Sequence, residues 1–120
     1  MKYWAYNPHT GGKKIPPTVQ ERTRRRILAY AEKHYKGKFI RIEVRFRGAL
    51  CYVDAYTDPG DIPATPLHLC RIRFLGDEDR WSFAFYTYSH ERYEPSMFST
   101  GDFVGTPEEA FETSSMYLQG

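Results

Sequence analysis

Glu43 and Asp54 are the residues whose spacing most directly brings chemistry together. Phe39 to Phe46 alternates as a strand should, with Ile40, Ile42, Val44 and Phe46 on one side and Arg41, Glu43, Arg45 and Arg47 on the other. Gly48-Ala49 suits a two-residue type II′ turn, which wants Gly first. That turn sets Arg47 opposite Leu50, and so pairs Phe46 with Cys51, Val44 with Val53 and Ile42 with Ala55. Every apolar residue then falls on one face. The same register puts Glu43 directly opposite Asp54, where two carboxylates repel. Paired acids among arginines can hold a metal, or act as acid and base on a phosphodiester. Two acids alone make a thin metal site. Arg41 and Arg45 flank Glu43, and one register of the next strand sets Arg71 opposite Asp54. The expected arrangement is therefore a charge ladder, with no catalytic residue, metal ligand or cofactor assigned.

Four histidines are the other candidates for proton transfer. His34 sits on the apolar arc of a helix, as a core or rim residue. His68 has apolar-face parity near a strand start. His90 lies in Tyr88-Ser89-His90-Glu91-Arg92-Tyr93, a polar loop with the side chains a metal-free ribonuclease would use. His9 stands in Asn-Pro-His-Thr-Gly-Gly, but Gly12-Lys13-Lys14 breaks the Gly-Lys-Ser/Thr order that a phosphate loop requires.

Charge is distributed unevenly. Residues 1–47 hold 13 of the 17 Lys and Arg and only 3 acids, a local net charge of +10; the remainder carries −8. Such asymmetry points to a polyanion partner, or to two halves that neutralise each other. At 120 residues the chain suits one domain, 1–120, with a modest core. The aromatic content of 17% favours a sheet-rich fold. No apolar run approaches the ~20 residues of a membrane span, and the start lacks a signal peptide's apolar stretch. A cytoplasmic protein that does not enter the membrane is expected. Two cysteines are too few for a disulfide framework.

The elements follow from pattern. Residues 2–6 suit a short strand and 7–17 a loop. A helix is expected from Thr18, as N-cap, to Lys36, with Gly37 stopping it. Val19, Thr23, Ile27, Tyr30, Ala31 and His34 share one arc, with Leu28 and Tyr35 at its edge. Arg22, Arg25, Arg26, Lys33 and Lys36 lie opposite, so the solvent face is cationic. His68–Leu75 and Arg80–Tyr88 form a second hairpin that pairs Phe74 with Trp81, Ile72 with Phe83 and Cys70 with Phe85. Residues 58–67 are a loop, and about 96–104 another short strand. Thr106-Pro107-Glu108-Glu109 starts a helix over about 107–118 that buries Ala110, Phe111, Met116 and Leu118. The fold class is α+β: a four-stranded antiparallel meander with two helices on the apolar face and the other face open. Matching the hairpins by their apolar faces sets Cys51 opposite Phe74 and Cys70 opposite Ala55. The two thiols would then lie roughly 13 Å apart at 3.3 Å per residue, free and buried.

On these registers the open face carries Arg41, Arg45, Arg47, Tyr52, Tyr56, Arg71, Arg73 and Tyr86, with Tyr88 at its end. Guanidinium groups meet phosphates and rings offer stacking planes to unpaired bases. With Arg22, Arg25, Arg26 and Lys33 of the helix, the eight residues from Arg41 to Tyr86 named here, without Tyr88, form the candidate nucleic-acid-binding set, for RNA in preference to DNA. The expected function is a nucleic-acid-binding accessory module. The alternatives are a protein-interaction or homodimerising domain that uses the same open face, and a metal-independent ribonuclease.

The stretches PPTVQERTRRRILAYAEKHY, HLCRIRFLGDEDRWSFAFYTYS and GDFVGTPEEAF give the whole chain a resemblance to a family of small uncharacterised bacterial proteins. That resemblance implies a bacterial cytoplasmic source. GDFVGTPEEAF also resembles the sheet-to-helix junction of HicB-type antitoxins, where a Thr-x-Glu-Glu-Ala run starts a helix. The helix–strands–helix order is similar to that of a double-stranded-RNA-binding domain.

Overall fold

Helix α1 (Pro17–Tyr35) begins two residues earlier than the Thr18 cap suggests, because Pro16 is the N-cap and Pro17 takes the first helical position. Proline suits that position: its φ is already helical and its missing N–H would have had no partner. No side chain caps this end, but Gln20 Nε2 donates to the Ile15 carbonyl at 3.0 Å. Gly37 ends the helix in the left-handed region at φ +89°, as glycine permits. The helix buries Val19, Thr23, Ile27, Ala31 and Tyr35. His34 is exposed at the rim, its ring 4.3 Å from that of Tyr30.

The computed structural model describes residues 11–118. The strand expected at 2–6, and His9, lie outside the described residues. After α1 come β1 (Arg41–Arg47), β2 (Leu50–Tyr56), β3 (Leu67–Asp77), β4 (Arg80–Thr87) and β5 (Arg92–Ser96). They form one antiparallel sheet in the order β1-β2-β3-β4-β5. Helix α2 (Pro107–Ser114) and a 3₁₀ turn (Ser115–Leu118) close the chain. The α+β class holds, but the sheet has five strands rather than four. The additional strand is Arg92–Ser96, read above as polar loop. It contains Pro95, which cannot donate to a ladder and is tolerated because β5 is an edge. Residues 97–104 form no strand; this segment is a loop that ends in one bridge, Trp81 to Gly105.

Both hairpin registers are as expected. Gly48 turns at φ +59°, and Arg47–Leu50 through Ile42–Ala55 pair in order. Phe74–Trp81, Ile72–Phe83 and Cys70–Phe85 pair likewise, with β3 running on to Asp77 through a bulge that uses Gly76.

The joint between the hairpins differs. Cys51 faces Ile72, Tyr52 faces Arg71 and Val53 faces Cys70, and then the register shifts so that Asp54 faces His68. Leu69 is the extra residue. This β-bulge gives up one ladder position and puts both Leu69 and Cys70, at 0% exposure, into the core. It also turns His68 onto the face that carries Asp54, not onto the apolar face. Arg71 consequently lies opposite Tyr52 and not opposite Asp54.

Both helices pack on the same sheet face, around Trp81, Phe111, Ile72, Ile27 and Leu69. The start of α2 carries a full capping box. Thr106 Oγ1 accepts from Glu109 N at 3.1 Å and Glu109 Oε1 accepts from Thr106 N at 2.9 Å. Met116 is 54% exposed, because the final turn is 3₁₀ and rotates it out of the core.

Two predictions follow from the core. Cys51 and Cys70 are free and buried, diagonal neighbours rather than four residues apart. Burial pushes the Cys70 thiol up to about 12, against a smaller opposing effect of the Ser114 hydroxyl, and raises Cys51 well above its ordinary value. A thiol reagent at pH 8 should therefore label neither in the native protein and both after denaturation. Rapid native labelling would contradict this packing. Separately, Thr23 is fully buried and its hydroxyl makes no hydrogen bond among the described residues. Replacing an unsatisfied hydroxyl by a methyl removes its desolvation cost. Thr23→Val should raise stability by about 1 kcal/mol in chemical denaturation.

Candidate nucleic-acid interface

The cationic helix and the Arg/Tyr sheet face do not form one surface. The helices cover the apolar side of the sheet, and the tyrosines line the other. On α1, Arg22 donates to both carboxylate oxygens of Glu78, Nε at 2.9 Å and Nη2 at 2.8 Å. Arg26 is engaged further. It meets Glu108 through Nε at 2.8 Å and Nη2 at 2.7 Å, Asp79 at 2.7 Å and the Glu78 carbonyl at 3.0 Å. These acids stand on the β3–β4 turn and the first turn of α2, so the acidic half neutralises much of this face. Arg25 and Lys33 remain exposed.

On the sheet's other face Asp54 is the centre. It is 1% exposed, yet it is a carboxylate. A buried charge must be paired and hydrogen-bonded. Its Oδ2 accepts from Arg45 Nη2 at 2.9 Å and its Oδ1 lies 2.8 Å from His68 Nδ1. Glu43, although opposite in register, has separate partners: Tyr56 donates to it at 3.3 Å and Arg41 approaches to 4.0 Å. The two acids are thus held apart by their own cations and donors, as a charge ladder holds them. Arg45 and His68, not Arg71, are the groups that hold Asp54.

Around Asp54 the aromatic rings form a continuous network. His68 lies 4.6 Å from Tyr86, Tyr86 lies 5.0 Å from Tyr93, and Tyr93 lies 5.5 Å from Tyr52. Tyr88 closes one end, its hydroxyl accepting from the His68 backbone N–H at 2.8 Å. Guanidinium groups lie over ring faces: Arg41 over Tyr56 at 3.8 Å, Arg45 over Tyr52 at 5.0 Å and Arg71 over Tyr93 at 5.3 Å. Cations over rings at these distances are attractive and keep both side chains in place. At the other end a depression of about 380 Å³ is lined by Arg47, Tyr52 and Arg73, among others. Arg73 is only 5% exposed, since the Gly12 backbone lies against its stem, where a Cβ would come within 2.6 Å.

The face therefore gathers Arg41, Arg45, Arg47, Tyr52, Tyr56, Arg71 and Tyr86. It adds His68, Tyr88 and Tyr93, which were not among the expected site residues. The signal for His68 was present. In Leu67-His68-Leu69-Cys70 two apolar residues stand side by side, so the alternation changes phase where the bulge lies. Tyr93 depends on β5, which its proline concealed. Among the described residues no group of three or more His, Cys, Asp or Glu side chains is placed to hold a metal ion. No helix among them is long and apolar enough to cross a membrane.

Compared with protein-family models, with curated proteins and with solved structures, the chain has no match.

The Arg26 cluster makes a prediction. Burial pushes the Glu108 carboxyl up, but the hydrogen bonds and charge of Arg26 outweigh it and hold the group below its ordinary range. A depressed carboxyl stabilises the fold above its unfolded value of about 4.3, and that contribution is lost as pH falls through the folded value. Arg26→Ala should cost about 1–2 kcal/mol at neutral pH, discounted for partial exposure. It should also flatten the loss of stability below about pH 4. Arg25→Ala and Lys33→Ala should stay within ~0.5 kcal/mol. Thermal melts across this pH range check all three.

Proposed function

We propose that the protein is a nucleic-acid-binding module that takes single-stranded RNA on the Arg/Tyr face of its sheet. The observation that carries this reading is the run of rings from Tyr52 through Tyr93 and Tyr86 to His68, bordered by Arg41, Arg45 and Arg71. Rings serve as stacking planes for unpaired bases and the flanking guanidinium groups meet the backbone. A duplex groove would need a protruding element to enter it. Helix α1 is poorly suited, because Arg22 and Arg26 are already engaged with acids. RNA is favoured over DNA by a polar group that can meet a 2′-hydroxyl: His68, 29% exposed along its side chain. Two free buried cysteines are in keeping with a reducing cytoplasm as the working compartment.

Fluorescence anisotropy with a short labelled RNA, its DNA counterpart and a duplex RNA tests the reading. Single-stranded RNA should bind best, with affinity falling as salt rises. Tyr52→Ala and Arg71→Ala should each weaken binding about tenfold, the scale of one lost stacking or phosphate contact. Arg25→Ala and Lys33→Ala should change it little. Binding that survives both sheet substitutions would overturn the proposal. A salt-insensitive dimer that binds no RNA would assign the face to a second copy of the chain.

A further inference from the structure

Asp54, His68 and Tyr93 are arranged beyond what stacking on the sheet face requires. The Asp54 carboxylate accepts at His68 Nδ1, 2.8 Å away. An acceptor on Nδ1 places the ring proton there and leaves the Nε2 lone pair free to take a proton. Nε2 carries no hydrogen bond to another described residue, and the side chain is 29% exposed. The imidazole is held on several sides. Its backbone N–H donates to Tyr88, and its ring lies 4.6 Å from that of Tyr86 and 6.3 Å from that of Tyr93. Asp54 is in turn fixed by Arg45 at 2.9 Å. The buried Tyr93 hydroxyl has no acceptor among the described residues, a state that normally has a reason. Burial, and then the Asp54 charge, raise its pKa, so it keeps its proton. Arg71 lies 5.3 Å from the same ring and supplies positive charge.

We propose that Asp54 and His68 form a general-base dyad that cleaves RNA on this face without a metal, through attack of a 2′-hydroxyl on the adjacent phosphodiester. The proposal rests on the RNA-binding reading above. His68 is the catalytic residue and Asp54 the positioning residue. Nε2 takes the 2′-hydroxyl proton as the 2′-oxygen–phosphorus bond forms and the phosphorus–5′-oxygen bond breaks. The leaving 5′-oxygen takes a proton from water, and the imidazolium returns its own to solvent. The products are a 2′,3′-cyclic phosphate and a 5′-hydroxyl, with nothing oxidised or reduced. Arg71 meets a non-bridging phosphoryl oxygen and neutralises the negative charge that develops there. DNA has no 2′-hydroxyl and is bound without being cut.

The test incubates the purified protein with end-labelled single-stranded RNA, and with DNA of the same sequence, in excess chelator. Binding is measured in parallel. The wild type should cut RNA to cyclic-phosphate ends and leave DNA whole. His68→Gln should lose at least about a hundredfold in rate at saturating RNA, the usual scale for a general base, so that any loss of its own contact with RNA appears in the binding measurement and not in this rate. Asp54→Asn should lower kcat with KM unchanged. Because Asp54 is buried, its fold is checked by circular dichroism, and His68→Gln decides should it be unfolded. A wild type that binds RNA and leaves it intact overturns the dyad and keeps the binding surface. A wild type that neither binds nor cuts overturns both. Cleavage that persists in His68→Gln, or that the chelator abolishes, also overturns the dyad.

Discussion

A carboxylate with 1% exposure inside a sheet has to be answered by neighbouring groups, and much of one face of this protein is arranged to answer Asp54. An ion taken out of water loses several kcal/mol of solvation unless cations and donors replace the water. Arg45 from the neighbouring strand, opposite Tyr52, supplies one partner diagonally across the hairpin. The other, His68, is reached only because Leu69 is bulged out of register. The bulge therefore has two effects. It sinks an additional leucine into the core, and it turns an imidazole onto a face where regular alternation would have put a leucine. Tyr86, Tyr88 and Tyr93 then close around the imidazole.

The two halves of the charge distribution are resolved by a second cluster, on the opposite side of the sheet. Arg22 and Arg26 reach Glu78, Asp79 and Glu108, so the helix is joined to the β3–β4 turn and to the start of α2. Exposed pairs of this kind add little singly. Arg26, partly buried and shared between two carboxylates and a carbonyl, belongs to the smaller class that matters. The same residues that suggested a polyanion partner thus serve to dock elements of the fold. Arg41, Arg45, Arg47 and Arg71 lie on the sheet's other face, apart from this cluster.

The two hairpins were legible because period-two alternation and the turn at Gly48 agree with each other, and a slip of one residue would have reversed every side chain. The cap of α2 was legible because Thr106, Pro107 and Glu109 each have one role at a helix start. The joint between hairpins was not legible from face matching alone, since a bulge preserves the apolar face while moving the register. Its trace, the adjacent Leu69 and Cys70, has two readings until the partner strand is known. Strand β5 was hidden by Pro95, which argues against a central strand and is silent about an edge. The site inherits these errors. Residues on the regular hairpin faces, Arg45, Tyr52 and Tyr86, were found from parity. His68 and Tyr93 depended on the bulge and on the edge strand, and parity passed over both.

That pattern bears on what the face does. A sheet built only to be covered by solvent has no need of a bulge that buries a carboxylate against an imidazole, since Arg45 alone could have stayed exposed with its partner at far lower desolvation cost. Nor does it need a tyrosine whose hydroxyl is buried without an acceptor among the described residues. Local rules are broken where a structure has a reason to break them, and functional sites are the usual place. Here three departures converge: the register shift at Leu69, the buried Asp54 and the unsatisfied Tyr93 hydroxyl. All three surround His68, the one described histidine that is held by a buried carboxylate. In the proposed function the aromatic rings and guanidinium groups form the surface that takes a polyanion with bases. The proposed dyad draws on the same convergence: a buried carboxylate fixes one imidazole by its Nδ1, and the other ring nitrogen is the one assigned to the 2′-hydroxyl.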